Sequence, residues 1–397
     1  MAGKVMAASD RLYLDYNAGA PLLGAAREVM AEALMLEGNP SSVHAEGRAQ
    51  RRIVENARQT FADNLGVAPK QVIFTSGASE AAMHALSPRM RKGVGEVRCS
   101  HLYVSAIEHP CVLSGGRFQE GAVSRIPVTA GGALDLSALE TLLAAHDRSA
   151  GAALVALMLA NNETGVIQPV AEAGEIARRH GGFLLVDAVQ GLGRLSVGPA
   201  ALGADFVILS AHKAGGPKGA GALVLGNAGL SPMPLILGGG QENYHRAGTE
   251  NVAAIAGFAA AVEDLPSQGS WRAVETLRDL LSEGLHTISR ETGTAVPVVF
   301  GAGEKRLANT LCFAVPGIRA ETALISLDLA GIAASSGSAC SSGKVKKSHV
   351  LEAMSVRDDL AACALRTSLG PSSTAEDVTR FLAAWRDIVG RMARYAA

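Results

Sequence analysis

A series of strand-length apolar runs, each ending in polar residues, is the feature that most constrains this chain. Gln71–Thr75 leads into Ser76-Gly77, and Leu102–Ile107 into Glu108-His109. Ala153–Leu159 leads into Asn161-Asn162, Phe183–Val186 into Asp187, and Phe206–Leu209 into Ser210-Ala211-His212-Lys213. Ala222–Leu225 is a further short strand. Helical stretches lie between them. One starts near Ser79, and another covers Val170–His180, where the basic last turn suits a helix C-terminus. Runs that are apolar throughout have no solvent face. Alternating with helices, they predict an α/β fold with a mostly parallel sheet covered on both sides. Ligands of such sheets bind beyond the carboxyl ends of the strands, so the polar residues after each run are the candidate site.

The pattern changes after about Asp264. Trp271–Thr292 reads as a long amphipathic helix, Thr310–Ala314 and Ile332–Ser335 as strands, and Ala320–Leu329 as a helix between them. Thr374–Tyr395 reads as a final helix, capped by Ser373 or Thr374, with Glu376 and Asp377 in its first turn. The expected organisation is a large domain over 18–264 and a smaller α+β domain built from 1–17 and 265–397.

Composition narrows the function classes. With 397 residues, 48% hydrophobic and 18% charged, the chain is a well-buried soluble globule rather than a disordered one. A net charge of −1 gives no reason to expect nucleic acid as a partner. No apolar run approaches the roughly 18–20 residues that span a bilayer, and the N-terminus has no apolar signal core. The cysteines Cys99, Cys111, Cys312, Cys340 and Cys363 are scattered without a C-x-x-C pair. That pattern argues against a disulfide framework or structural zinc site and for a reducing, cytoplasmic compartment.

Several residues carry possible chemistry. Thr75-Ser76-Gly77-Ala78-Ser79-Glu80 is a strand, a glycine turn and a helix start, which suits a phosphate; an ordinary helix cap would read the same way. Asp187 ends an apolar strand, where a carboxylate needs a cation such as a protonated pyridine nitrogen, or else caps the next loop. Lys213, beside Gly215 and Gly216, is placed for an imine. Lys218 is its rival, in a setting more like a surface turn. His109 could stack on an aromatic cofactor and move protons, and Asn161–Gly165 offers amide donors. Turn structure explains these segments equally well. Cys340 lies in a loop of small residues followed by Lys344, Lys346 and Lys347, which would favour its thiolate. Arg366, on an apolar strand-like segment, needs an anion: a substrate carboxylate or an internal salt bridge. Cys312 in an apolar run and Cys363 in an Ala-rich helical stretch read as inert. The order of these features points to pyridoxal phosphate chemistry that ends on sulfur.

From Leu12-Tyr13-Leu14-Asp15-Tyr16-Asn17 to about Gly370, the chain resembles the cysteine desulfurases of the NifS/IscS type, fold-type I pyridoxal phosphate enzymes. The segments that carry the resemblance include Gly38–His44, the Ser76 turn, Glu108-His109, Asn161–Gly165 and Asp187–Gln190. Ser210–Lys213, Arg246-Ala247-Gly248-Thr249 and Ser335–Cys340 are its most specific parts. The resemblance implies that Lys213 forms the imine with pyridoxal 5'-phosphate, Asp187 pairs with the pyridine nitrogen and Gln190 with the ring hydroxyl. It implies that His109 stacks on the ring beside Asn162, and that Ala78, Ser79, Ser210 and His212 hold the phosphate. Thr249 would reach the phosphate of the other subunit, making a homodimer. Asn17 and Arg366 would hold the carboxylate of L-cysteine. Cys340 would be the nucleophile and persulfide carrier. No metal is expected in the free enzyme, with Cys340 at most a transient cluster ligand. The implied activity converts L-cysteine to L-alanine and passes sulfur to an acceptor protein such as an iron–sulfur scaffold. An aminotransferase, a selenocysteine/cysteine lyase of the same fold, or a non-catalytic scaffold are the alternatives. The chain departs from the family pattern at Ser79 (typically Thr), at Gly19-Ala20, at Ala81-Ala82 and in the basic Lys344–Lys347 segment.

Overall fold

The structure, a computed structural model, describes residues 11–336 and 347–396. The chain divides into two compact units. The larger comprises Ala18–Asn162 and Val166–Ser267, and the smaller the remaining described residues, Glu163–Gly165 among them.

The larger unit is built on a 9-stranded sheet. Its core is a parallel set in the order Val123–Ile126, Gly95–Ser105, Ala152–Met158, Phe183–Asp187 and Phe206–Ser210. Gly221–Leu225 then pairs antiparallel with Phe206–Ser210, and Val72–Thr75 antiparallel with Gly221–Leu225. On the far side Arg89–Lys92 folds back on Gly95–Ser105, and Leu230–Pro232 pairs with it. The edge elements were not evident from the sequence, because Arg89–Lys92 and Gly95–Arg98 are largely polar and exposed. The long helix Ala45–Leu65 was also missed, since its many charged residues hide the apolar stripe Val54, Phe61 and Leu65.

Alternation along the strands sends side chains to two cores. Val155, Leu157, Val186, Leu209 and Val224 pack on one face with Phe61 and Phe258 from the helices Ala45–Leu65 and Val252–Glu263. Leu154, Ala156, Leu185, Ile208 and Leu223 pack on the other with Ala81, Ala82 and Ala85 of the helix Ala78–Ala85. The Ala81-Ala82 pair therefore has a packing role: both are fully buried between that helix and the sheet.

The topology brings the polar strand ends to one edge. Val72–Thr75 and the parallel strands run the same way, and antiparallel Gly221–Leu225 begins at that edge, with Gly221 opposite both Thr75 and Ser210. A Cβ on Gly221 would lie 2.5 Å from the Gly77 carbonyl carbon and 2.8 Å from the Leu209 oxygen, so only glycine fits.

The smaller unit holds a 4-stranded antiparallel sheet in the order Val298–Val299, Thr310–Ala314, Ala364–Ser368, Ser335–Ser336. The helices Gln268–Thr292, Ala320–Leu329 and Ala375–Ala396 accompany it. Its core includes Leu281, Leu311, Phe313, Phe381 and Trp385. Where the sequence predicts one strand over Ile332–Ser335, the chain makes two. Ile332–Ala333 pairs in parallel with Leu12–Tyr13, while Ser335–Ser336 pairs with Ala364–Ser368. Cys363 is not helical, as its Ala-rich surroundings suggest, but sits in the turn before Ala364–Ser368, buried, its thiol donating to the Asp359 carbonyl at 3.3 Å.

Candidate active site

In the larger unit the chain turns sharply after Thr75. The Thr75 hydroxyl donates to the Gly77 carbonyl (3.0 Å), and Ser76 N–H donates to Glu80 Oε2 (2.9 Å). Gly77 is the N-cap of the helix Ala78–Ala85, and having no side chain it makes no capping hydrogen bond at the N-terminal end that Ala78 and Ser79 form. Such an end attracts anions.

Asp187 closes the strand Phe183–Asp187. Its Oδ1 accepts from Val189 N–H at 3.0 Å. Burial raises its carboxyl to about 6, against the pull of the Lys213 ammonium. Lys213 follows the next strand in a single turn of 3₁₀ helix, half-buried, and its Nζ donates to the Ala18 carbonyl at 2.8 Å. Lys218 is exposed, as its Pro-Lys-Gly setting suggests. Glu108, fully buried, accepts from Met158 N–H at 2.6 Å, and burial beside Asp187 favours its neutral form.

His109 caps the short helix Pro110–Leu113. Its Nδ1 accepts from Cys111 N–H at 3.2 Å and lies 3.0 Å from Cys111 Sγ. Burial pushes the Cys111 thiol up to about 12, so at neutral pH it is an S–H donor. With Nδ1 the acceptor, the neutral imidazole carries its proton on Nε2. Ser79 also hydrogen-bonds Cys111. This thiol, one of the scattered cysteines of the sequence, therefore connects Ser79 at the helix start to the histidine.

His212 Nδ1 and Ser210 Oγ are 2.9 Å apart. Burial, with Lys213, Lys218 and His109 nearby, lowers the His212 imidazole to about 4 and keeps it neutral. Gln190, buried, has Oε1 held by Arg194 Nη1 at 2.5 Å, which fixes the orientation of its amide. Arg194 went unnoticed in the sequence. Asn162 is half-buried, next to Asn161, whose Nδ2 donates to the Ile107 carbonyl at 3.1 Å. Thr249 is exposed and lines a cleft with Ser76 and Arg246. Ser79, His109, Asp187, His212 and Lys213 are thus one interacting group on one sheet edge.

In the smaller unit, Arg366 lies opposite Cys312 and Ser335. It is 3% exposed, and its Nη2 donates to Asp15 Oδ1 at 2.6 Å, while Ser335 Oγ donates to Asp15 Oδ2 at 2.8 Å. Asp15 therefore braces the arginine. Asn17 is buried, its Nδ2 donating to Thr310 Oγ1 (2.9 Å) and its Oδ1 accepting from Asn309 (3.0 Å). Glu163 accepts from the Ser348 hydroxyl at 2.5 Å, and burial raises it to about 7. Burial raises the Cys312 thiol strongly, which fits an inert role. Cys340, Lys344 and Lys346 lie outside the described residues. Lys347 is bound by Asp358 (2.8 Å) and Glu352 (3.5 Å), so its charge is already matched.

Residues 12–381 match the Aminotransferase class-V family. A cysteine desulfurase of Cereibacter sphaeroides is 39% identical over 96% of this chain and 97% of its own. The cysteine desulfurase IscS of Dictyoglomus turgidum is 36% identical over 96% of this chain and 95% of its own. The chain belongs to the cysteine desulfurases of the class-V aminotransferase family. A solved NifS-like protein, 32% identical, superposes with a TM-score of 0.84 over 96% of this chain and 100% of that one. The fold is accordingly that of the fold-type I pyridoxal phosphate enzymes.

Members of this family use pyridoxal 5'-phosphate, and the larger unit's residues fit it. The glycine-capped helix start has backbone N–H groups of the kind that bind a phosphate. The buried carboxyl of Asp187 has a single hydrogen bond among the described residues, leaving Oδ2 for a cationic ring nitrogen. Lys213, on the same sheet edge, has an amine of the kind that an imine with the cofactor requires.

Proposed function

We propose that this chain takes sulfur from L-cysteine, releases L-alanine and holds the sulfur as a persulfide on Cys340 for transfer to an acceptor protein. The observation that carries the reading is the buried carboxyl of Asp187, within the electrostatic reach of Lys213, on the sheet edge where the glycine-capped helix Ala78–Ala85 starts.

In this reading the larger unit binds the cofactor and the smaller unit carries the Cys340 loop. Pyridoxal phosphate, when bound, supplies an electron sink that acidifies the substrate Cα proton and accepts the electron pair of the broken bond. Ala78, Ser79, Ser210 and His212 hold the phosphate. Neutral His212 does so as a hydrogen-bonding group, without charge. Asp187 keeps the ring nitrogen protonated, Gln190 donates to the ring hydroxyl with Arg194 fixing its amide, and Asn162 flanks the ring. Lys213 Nζ moves the proton at substrate Cα. His109, with its proton on Nε2, stacks on the ring and assists proton transfer. Asn17 and Arg366 hold the substrate carboxylate, and Asp15 fixes the guanidinium. The Cys340 thiolate attacks the substrate sulfur: an S–S bond forms, the C–S bond breaks, and a proton takes the sulfur's place on carbon.

The working unit in this reading is a homodimer, with Thr249 serving the phosphate of the other subunit. Two adjacent segments support it. Leu34, Met35 and Val43 on one, and Leu237 and Tyr244 on the other, are all at least 72% exposed, and Gln241 Nε2 donates to Ser41 Oγ between the segments. The acceptor is a protein such as an iron–sulfur scaffold, and the compartment is the cytoplasm. Among the described residues no helix is long and apolar enough to cross a membrane, and Cys99, Cys111, Cys312 and Cys363 are free thiols.

The test is product analysis together with site mapping. Cysteine should yield alanine in step with transferred or released sulfur. Borohydride reduction followed by peptide mapping should find the pyridoxyl group on Lys213. The group on Lys218, or cysteine consumed without alanine, would sink the reading.

A further inference from the structure

We propose that Arg246 is a positioning residue for the cofactor phosphate: it neutralises Glu80, whose carboxylate fixes the Ser76 amide at the entrance to the phosphate turn. This rests on the reading of the Ala78–Ser79 helix start as the phosphate site. One carboxylate here serves two partners. Glu80 Oε2 accepts from Ser76 N–H at 2.9 Å, and Arg246 reaches Glu80 Oε1 through Nε (2.9 Å) and Oε2 through Nη2 (3.4 Å). Both side chains are mostly buried, 13% and 21% exposed. The hydrogen bonds from Arg246 and Ser76 hold the Glu80 carboxyl below its usual range although burial alone would raise it.

The charge makes the arginine necessary. Glu80 stands in the first turn of the helix whose N-terminus is to receive the phosphate. A lone carboxylate there would compete for the same positive helix end and repel a phosphate dianion. A guanidinium bound to it removes the repulsion and leaves the carboxylate free to order the turn.

A second clamp on the same segment gives the arrangement its stiffness. Arg58 holds Glu242 through two contacts (2.7 and 3.0 Å), and Glu242 Oε2 accepts from Phe74 N–H at 2.9 Å. The two carboxylates thus grip Phe74 and Ser76, alternate residues at the strand end. Between the clamps, Glu242, Asn243 and Tyr244 have φ of 49°, 52° and 64°, a strained run for side-chain-bearing residues that needs such fastening. Arg246 consequently sets the register of the Arg246–Thr249 segment against the phosphate turn, and both border the cleft that contains Ser76 and Thr249.

The test compares two cofactor probes on the full chain stripped of cofactor. Pyridoxal phosphate and pyridoxal differ only in the phosphate, and both report through the lysine imine absorbance. Arg246→Met should weaken pyridoxal phosphate binding by roughly tenfold or more while leaving pyridoxal binding unchanged. The double variant Glu80→Gln/Arg246→Met should recover part of the loss, because the unpaired carboxylate is gone. Arg246→Lys, which keeps the charge but loses the fork, should weaken pyridoxal phosphate less, and it carries the test if Arg246→Met does not fold. Equal weakening toward both probes would make the pair a fold element only and overturn the proposal. So would unchanged binding, or a double variant no better than Arg246→Met. A wild-type chain that binds neither probe would instead overturn the functional reading.

Discussion

Replacing Asp187 with Asn should stabilise the cofactor-free protein at neutral pH and disable the enzyme at the same time. Burial lifts the Asp187 carboxyl from 3.8 to about 6, even with Lys213 nearby. Between those values the folded state keeps a proton that the unfolded state has lost, so stability falls as pH rises from 3.8 to about 6. Above that range the folded protein carries the full cost of an ionised buried carboxylate. At 1.36 kcal/mol per pKa unit, the shift corresponds to about 3 kcal/mol. Asn keeps the acceptor for Val189 N–H and removes the charge, so it should return that amount at pH 7 and little near pH 4. Urea unfolding of cofactor-free wild type and variant at the two pH values measures the difference. With pyridoxal phosphate bound, the proposed role of Asp187 reverses the balance, because the variant would leave the ring nitrogen without its counter-ion. Cysteine turnover should fall by roughly 100-fold or more. A cofactor-free variant less stable than wild type at pH 7, or a stability difference equal at both pH values, would refute the idea that Asp187 is an uncompensated buried charge waiting for a cation.

Gly221→Ala should weaken pyridoxal phosphate binding, because the new Cβ would lie 2.5 Å from the Gly77 carbonyl carbon and must push the phosphate turn aside; titration with the cofactor checks it. Burial beside Arg117 and His245 depresses the His84 imidazole from 6.5 to about 4, so stability should fall by about 3 kcal/mol as pH drops through that window. His84→Leu should flatten that acid limb of the melting profile. Arg366→Ala should raise the cysteine KM by roughly 10–100-fold without changing cofactor affinity, whereas Asp15→Asn, which keeps the guanidinium and loses its brace, should raise it less. Cys340→Ser should bind cysteine and release no alanine, and mass spectrometry should find the added sulfur on the wild-type Cys340 peptide alone. Persulfide on Cys363 or Cys312 would refute the assignment.

The sheet and the residues at its strand ends were legible in the sequence, because buried parallel strands are written as continuous apolar runs and a ligand site follows their carboxyl ends. Asp187, Lys213, His109 and the Ser76 turn could be picked out on that ground. The polar edge strands Arg89–Lys92 and Gly95–Arg98 and the charge-rich helix Ala45–Leu65 could not, since they satisfy packing or pairing without a readable apolar pattern. The split of Ile332–Ser335 between two sheets was equally hidden, because the chain's choice of partner strand is not a local property.

Other features exist only once distant segments meet. Cys111 reads as a spare thiol until folding sets it between Ser79 and His109. Arg366 left open a substrate clamp or an ion pair, and the fold supplies Asp15, 351 residues away in sequence, to brace it. Glu80 and Arg246, 166 residues apart, become one unit the same way. Local sequence determines which strands and turns form, through the burial period of the side chains. Which charges neutralise each other, and therefore which pKa values move and which groups stay available for a ligand, depends on through-space distance in a low-dielectric interior, and tertiary structure alone decides that.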